Sequence, residues 1–136
     1  MELQGEEKIK DDTKLIEFLS KKENLICCIP GVVEKDGDKF LSKTKVGFIS
    51  LELKGEIKDF QVDGNKFINV IEIQGAGMEI TVKTTLEVEK MILKWKVEYQ
   101  AEGGLAQSFK KIIDSQAEKV AKDIINCSLQ KSGALS

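Results

Sequence analysis

The sequence predicts an α+β fold: a curved antiparallel sheet of six or seven strands wrapped around one long C-terminal helix, with two short helices after the first strand. Three observations predict it. From Gly31 onward the apolar residues recur with a period of two for about seventy residues, the mark of extended strands. From Leu105 to Gln130 the period is helical, with Leu105, Phe109, Ile112, Ile113, Ala117, Val120, Ala121, Ile124 and Cys127 on one stripe. Two short helical stretches precede Pro30, the single proline of the chain, which blocks continuation. Strands in a run followed by a helix imply an α+β layer.

The elements follow in order. Glu2–Lys10 alternates Leu3, Gly5, Glu7 and Ile9 against Glu2, Gln4, Glu6 and Lys8, a weak strand pattern. Asp11 or Asp12 can cap a helix whose body is Asp12–Leu19, with Leu15, Phe18 and Leu19 on its apolar face. A second helical piece covers Lys21–Cys27. Val32–Lys35 is a short strand, turned at Asp36-Gly37-Asp38. Lys39–Val62 is extended throughout, as one bent strand or two. Its apolar parity changes near Phe48/Ile49 and again near Asp59/Phe60, which calls for a bulge or corner.

Asp63-Gly64-Asn65 is a turn, Lys66–Gln74 a strand, and Gly75-Ala76-Gly77 a break. Met78–Glu89 and Leu93–Glu102 alternate cleanly, so each presents one wet face and one apolar face. Gly103-Gly104 ends the sheet. The helix Leu105–Gln130 would span roughly 39 Å, enough to cross a sheet. The tail Lys131–Ser136 is expected to fray.

The chain has 136 residues and a mass of 15.2 kDa, the size of a single domain covering residues 1–136. A domain of this size buries about two-thirds of its unfolded surface and needs no covalent staple. Net charge is −2, without the basic excess of a nucleic-acid platform. There is no histidine, and all 21 basic residues are lysine. The commonest general base and metal ligand are therefore missing, as is the bidentate arginine clamp for phosphate. Aromatics, at 6%, are too few for a base-stacking surface. These absences favour a binding or carrier protein over an enzyme, with no catalytic residue, metal or cofactor expected. Lys and Glu enrichment is shared by proteins of hot habitats and by genomes of low GC content.

Cys27, Cys28 and Cys127 form no disulfide framework, being odd in number with an adjacent pair. They read as small buried hydrophobes, with a bridge from Cys127 to one of the pair if the first and last helical segments touch. No apolar run reaches the ~18–20 residues of a membrane span. Met1–Lys10 is charged throughout, unlike a signal peptide. The expected location is the cytoplasm, with no integral membrane segment.

Several motifs together resemble the carbon monoxide dehydrogenase G-subunit family, within the helix-grip superfamily of START-type and birch-pollen-allergen-like (SRPBCC) proteins. They are Cys28-Ile29-Pro30-Gly31, Lys45-Val46-Gly47 followed by Gly55, Gly75-Ala76-Gly77, Trp95-Lys96-Val97-Glu98-Tyr99, and Gly103-Gly104-Leu105-Ala106-Gln107. The resemblance covers essentially the whole chain. It implies a hydrophobic cavity between sheet and helix. It also implies a role in handling an apolar ligand, or in assisting a molybdenum hydroxylase of the carbon monoxide dehydrogenase type. Two departures bear on this. Longer members carry a C-terminal extension with a hydrophobic segment, whereas this chain ends at Ser136, so membrane anchoring is not expected. Members often have glycine in the first turn of the last helix, where this chain has Phe109, expected to narrow the cavity.

The inward parity of the sheet supplies Ile71, Ile73, Ile80, Val82, Leu86, Leu93, Trp95, Val97 and Tyr99. The helix supplies Phe109, Ile112, Ile113, Ala117, Val120 and Ile124. Asn69, Thr84, Tyr99 and Glu7 share that parity and are candidates to orient a ligand head group. The expected ligand-binding set is Asn69, Ile71, Ile80, Val82, Thr84, Leu86, Trp95, Val97, Tyr99, Phe109, Ile113 and Ala117. Glu17, Asp59 and Asp114 read as solvated or capping. Lys110, Lys111, Lys119 and Lys122 lie on the outer helix face, where they can touch a partner protein or an anionic membrane surface. Glycine-rich corners at Gly47–Ser50, Asp63–Asn65 and Gly75–Gly77 are candidate gates.

The reading is non-enzymatic binding or transfer of a hydrophobic small molecule such as a lipid or isoprenoid quinone. The alternative is an accessory module for oxidoreductase assembly, its cavity closed and vestigial. A cyclase or hydrolase on the same fold would need a polar constellation inside the cavity, which the missing His and Arg disfavour.

Overall fold

A computed structural model describes residues 2–46, 49–75, 77–104, 107 and 110–134; the side chains of residues 44, 46, 49, 112, 113 and 116 lie outside that description. The elements are β1 (Glu2–Lys8), α1 (Asp12–Leu19), α2 (Lys22–Cys28), β2 (Val32–Asp36), β3 (Lys39–Val46), β4 (Ile49–Asp63), β5 (Lys66–Gly75), β6 (Met78–Glu89), β7 (Ile92–Glu102) and α3 (Lys110–Ser132). The expected helix Lys21–Cys27 is shifted by one residue, and the expected run Lys39–Val62 is two strands, β3 and β4.

One antiparallel sheet holds all seven strands in the order β1-β7-β6-β5-β4-β3-β2. The first two strands thus occupy opposite edges, and α1 and α2 carry the chain from one edge to the other. The parity change near Asp59 is a bulge: β4 slips against β5 between Ile57 and Asp59. A bulge places two residues opposite one and bends the strand, so Ile57 and Phe60 both contribute to one apolar cluster.

Local chemistry fixes the helix ends. Asp11, in an extended conformation, caps α1 by accepting the Lys14 N–H at 3.0 Å. Asn24 donates its side-chain amide to the Phe18 carbonyl at 2.8 Å and so holds α2 against the end of α1. Gly31 turns the chain out of α2 with φ of +80°, a conformation that suits glycine. Its carbonyl accepts from the Lys43 N–H at 2.9 Å.

The C-terminal tail is ordered to Ala134, correcting the expectation of fraying. Gly133 has φ of +78°. Its N–H donates to the Gln130 carbonyl at 3.2 Å, and the Ala134 N–H donates to Leu129 at 3.1 Å. These two bonds form a Schellman stop. The Ala134 carbonyl then accepts the Lys10 N–H at 3.0 Å, and Ala134 is fully buried.

The apolar interior has two parts. The larger gathers Leu15 of α1, Val88, Leu93 and Tyr99 of β6 and β7, and Ala121, Ile125 and Leu129 of α3. The smaller gathers Ile26 of α2 with Phe40, Ile57 and Ile71 of β3–β5. Cys28 and Cys127 are joined by a disulfide, with Cα atoms 5.5 Å apart, and Cys27 is an exposed free thiol. The reading of all three as small buried hydrophobes is therefore corrected, and the bridge between the helical segments is present.

Candidate functional site: an apolar cavity between sheet and helix

A cavity of about 380 Å³ lies between the inner face of the sheet and the helices. The sheet side is built from inward residues of β3–β7, among them Phe40, Leu53, Ile73, Ile80, Val82 and Leu86. Ala117, Val120, Ala121, Ile124 and Ile125 of α3 close it opposite, and Phe18, Leu19, Leu25 and Ile29 close one end. The volume sits at the lower end of the ~300–1,000 Å³ typical of small-molecule sites.

Of the residues expected to bind ligand, Asn69, Ile71, Ile80, Val82, Thr84, Leu86, Val97, Tyr99 and Ala117 all line this cavity. Phe109, and the side chain of Ile113, lie outside the described residues. Trp95 has the inward parity but does not belong to the described cavity wall, which corrects the sequence expectation. Its cross-strand neighbour is Gly5. A Cβ on Gly5 would come within 2.6 Å of the indole ring, so the ring occupies the space over β1 that Gly5 leaves free. Its Nε1 is buried with no acceptor among the described residues. Glu7 is likewise outside the described wall. Parity selects a face of the sheet and does not say toward which neighbour a large ring leans.

The polar groups of the wall divide into satisfied and unsatisfied. Ser42 donates to the Pro30 carbonyl at 3.2 Å, and Ser128 to the Ile124 carbonyl at 2.8 Å. Tyr99 donates its hydroxyl to the Asp114 carboxylate at 2.8 Å. Burial, with Asp114 and Glu118 nearby, pushes the phenol up to about 12, because a phenolate there would be poorly solvated and repelled. Asp114 is thus bonded to the sheet, not a plain solvated or capping residue as its sequence context suggested. Asn69 differs from these three. It is 4% exposed, and its Oδ1 is enclosed with no donor among the described residues.

Sequence reasoning missed the wall contributed by α1, α2 and β4, including Phe18, Leu25, Leu51, Leu53 and Phe60. A signal existed for β4, whose Leu51 and Leu53 alternate with charged neighbours. The helical residues carried none beyond an apolar stripe. Of the expected gates, Asp63–Asn65 is pinned: the Asn65 carbonyl accepts from Val88 N–H and its side-chain amide donates to Val88 O, each at 3.0 Å. Gly47, Phe48 and Ala76 of the other two gates lie outside the described residues.

A second hollow, on the outer face of β2–β5, is a solvent-open groove lined by charges of both signs, among them Lys35, Glu52, Lys54, Glu56 and Lys58. Among the described residues there is no cluster of three or more Cys, Asp or Glu side chains placed to hold a metal. No described helix is long and apolar enough to cross a membrane.

An antiparallel sheet folded against a long C-terminal helix, with an apolar cavity between them, defines a helix-grip protein. The chain belongs to the carbon monoxide dehydrogenase G-subunit (CoxG) family, whose model matches residues 5–132. Among solved structures it is similar to a conserved protein from Geobacillus kaustophilus, at 14% identity and a TM-score of 0.65 over 97% of this chain and 93% of that one. It is similar to a START superfamily protein from Mycobacterium smegmatis, at 12% identity and a TM-score of 0.62 over 96% and 97% of the two chains. A third is the Zhui aromatase/cyclase from Streptomyces sp. R1128, at 8% identity and a TM-score of 0.60 over 98% and 93%. Among curated proteins, no sequence matches the chain significantly. The family and fold together make this a hydrophobic-ligand-binding type of structure.

Proposed function

We propose that this protein binds and transfers a hydrophobic small molecule, a lipid or an isoprenoid quinone, without chemical conversion. The observation that carries the reading is the cavity, roomy in a domain of this size and walled almost wholly by apolar side chains. Protein interiors ordinarily pack without such voids. Burial of the ligand drives binding at about 25 cal/mol per Å² of apolar surface removed from water. At about 380 Å³ the cavity takes one compact apolar group, and the remainder of a long tail stays outside. Asn69, Thr84 and Tyr99 would meet the polar end. By family, the recipient or donor is a molybdenum hydroxylase of the carbon monoxide dehydrogenase type, working with this protein in the cytoplasm. A docking module with a vestigial cavity would call for a filled interior, and the open volume beside Ala117 and Val120 favours the carrier.

The test is native mass spectrometry with organic extraction of protein purified from its own cells, alongside an Ala117→Trp variant that fills the cavity from α3. A co-purifying apolar molecule of the wild type, lost from the folded variant, is the expected result. A bare mass with no uptake of added quinone or fatty acid would overturn the carrier reading and leave the docking module.

A further inference from the structure

The bridge between Cys28 and Cys127 lies at the cavity wall, where α2 meets α3. Leu25 and Ile29, on either side of Cys28, line the cavity, as do Ile124 and Ser128 on either side of Cys127. Ser128 Oγ is 3.9 Å from Cys28 Sγ. Lys21, at the joint between α1 and α2, is the one exposed residue among the described residues of the wall, so the cavity reaches the surface there. Movement of α2 away from α3 would widen that mouth.

Little else ties α2 down. It has 7 residues, too few for a helix to persist alone. Joints flank it: Ser20-Lys21 before, and Ile29-Pro30-Gly31 after, where Gly31 has φ of +80°. Its side-chain bond to α1 runs from Asn24 to the Phe18 carbonyl. Its ion pair to the β2–β3 turn, Lys22–Asp38 at 3.1 Å, is exposed and therefore weak. Besides Cys28, only Ile26 of the helix is buried. Segments with so few buried contacts open locally before the fold does.

The bridge itself is open to exchange. Cys28 is 4% exposed whereas Cys127 is half-buried, so Cys127 is the half that an attacking thiolate meets first. Bridges in the cytoplasm, the compartment proposed above, are commonly transient or redox-sensing, proteins of hyperthermophiles apart. Cys27 stands outside the bridge: it is exposed and accepts a hydrogen bond from Lys35 Nζ at 3.5 Å.

We propose, resting on the cavity-binding reading above, that Cys28–Cys127 is a redox-released latch on the cavity. The oxidised protein holds its apolar ligand, and reduction frees α2 so that the ligand exchanges. The reductant is a dithiol. One of its thiolates attacks the Cys127 sulfur, the S–S bond breaks, and Cys28 leaves as a thiolate that takes up a proton. The second thiol of the reductant attacks the mixed disulfide and releases Cys127. The electron pair passes to the cysteines, and the dithiol departs as a disulfide.

The test uses the full chain carrying Cys27→Ser, so that no third thiol scrambles the bridge, oxidised or reduced with dithiothreitol. Deuterium exchange read by mass spectrometry should show residues 21–31 losing protection on reduction while β5–β7 keep theirs. N-phenyl-1-naphthylamine, an uncharged apolar fluorophore, should leave the reduced protein about tenfold faster in stopped-flow dilution. With Cys127→Ser added, release should be fast with and without dithiothreitol. Unchanged protection at residues 21–31 would overturn the latch, as would equal release rates from folded oxidised and reduced protein. So would protection lost from all strands alike, because the bridge would then be a staple for the whole fold. Loosening of α2 with no probe bound in either state would overturn the cavity-binding reading instead and leave the redox release of α2 standing.

Discussion

The carboxylate of Asp12, on the first turn of α1, accepts the backbone N–H of Met91 at 3.0 and 3.3 Å, 79 residues further along the chain. Met91 and Lys90 form the two-residue turn between β6 and β7, and both have positive φ, 63° and 54°. Such a turn usually carries Asn-Gly, because a left-handed conformation costs other residues ~1–2 kcal/mol each. Asp12 holds the strained turn from outside the hairpin. Asp12→Ala should therefore cost about 1 kcal/mol, or about 4 °C in Tm. Met91→Gly should instead raise stability by about 1 kcal/mol. Urea unfolding of the two variants checks both signs.

The disulfide between Cys28 and Cys127 joins the end of α2 to α3 across 99 residues. Closing so long a loop restricts the unfolded chain strongly, by about 4–5 kcal/mol in the chain-entropy account. Reduction, or a Cys127→Ser replacement, should lower the urea midpoint by a corresponding amount. Equal midpoints for oxidised and reduced protein would contradict this.

Tyr99 is the single tyrosine of the chain, so its ionisation can be followed alone by ultraviolet absorbance. Its folded-state value lies at about 12, above the ordinary 10.0. The protonated phenol is thus the form that folding favours. Its contribution is fully present below pH 10 and is lost as pH rises through about 12. The native protein should show no phenolate step near pH 10, whereas the urea-unfolded protein should. Tyr99→Phe should abolish the step and leave Asp114 without its donor, at a cost of about 1 kcal/mol.

Gly5 makes room for the Trp95 indole. Gly5→Ala would set a methyl within 2.6 Å of the ring, and overpacking of this kind costs about 1–3 kcal/mol. The chain's single tryptophan should report the displacement by a red shift in its fluorescence. An unchanged spectrum and midpoint would show that β1 yields instead.

Much of this architecture is written in side-chain period. Met78 to Glu89 alternates without interruption, and β6 has those same bounds. The slip in parity at Asp59 is the observed bulge. The cavity face was legible for the same reason: Asn69, Val82, Thr84 and Tyr99 follow from alternation alone. What period does not encode is where a ring leans or which distant group accepts a hydrogen bond. Trp95 turns toward Gly5, Asp114 reaches Tyr99, and Lys90-Met91 turns without glycine because Asp12 supports it. Each depends on a partner remote in sequence. Gly133 was a readable stop signal at the end of α3, and its position close to the C-terminus obscured it.

The strand order has a consequence for how the molecule is made. β1 pairs with β7 alone, while every strand from β3 to β6 bonds to the strands before and after it in the chain. During synthesis the hairpins β2–β7 can close as they emerge. β1 must wait for β7, roughly 5–20 s at ~5–20 residues per second. An unpaired strand invites wrong partners, and this one is poorly suited to them: its inward positions hold Gly5 and Glu7 beside Leu3, and its outer face carries only the polar Glu2, Gln4, Glu6 and Lys8. The N-terminal strand should accordingly be the last to gain protection in pulsed hydrogen exchange during refolding. Early protection at Leu3 and Glu7 would show that this edge forms first.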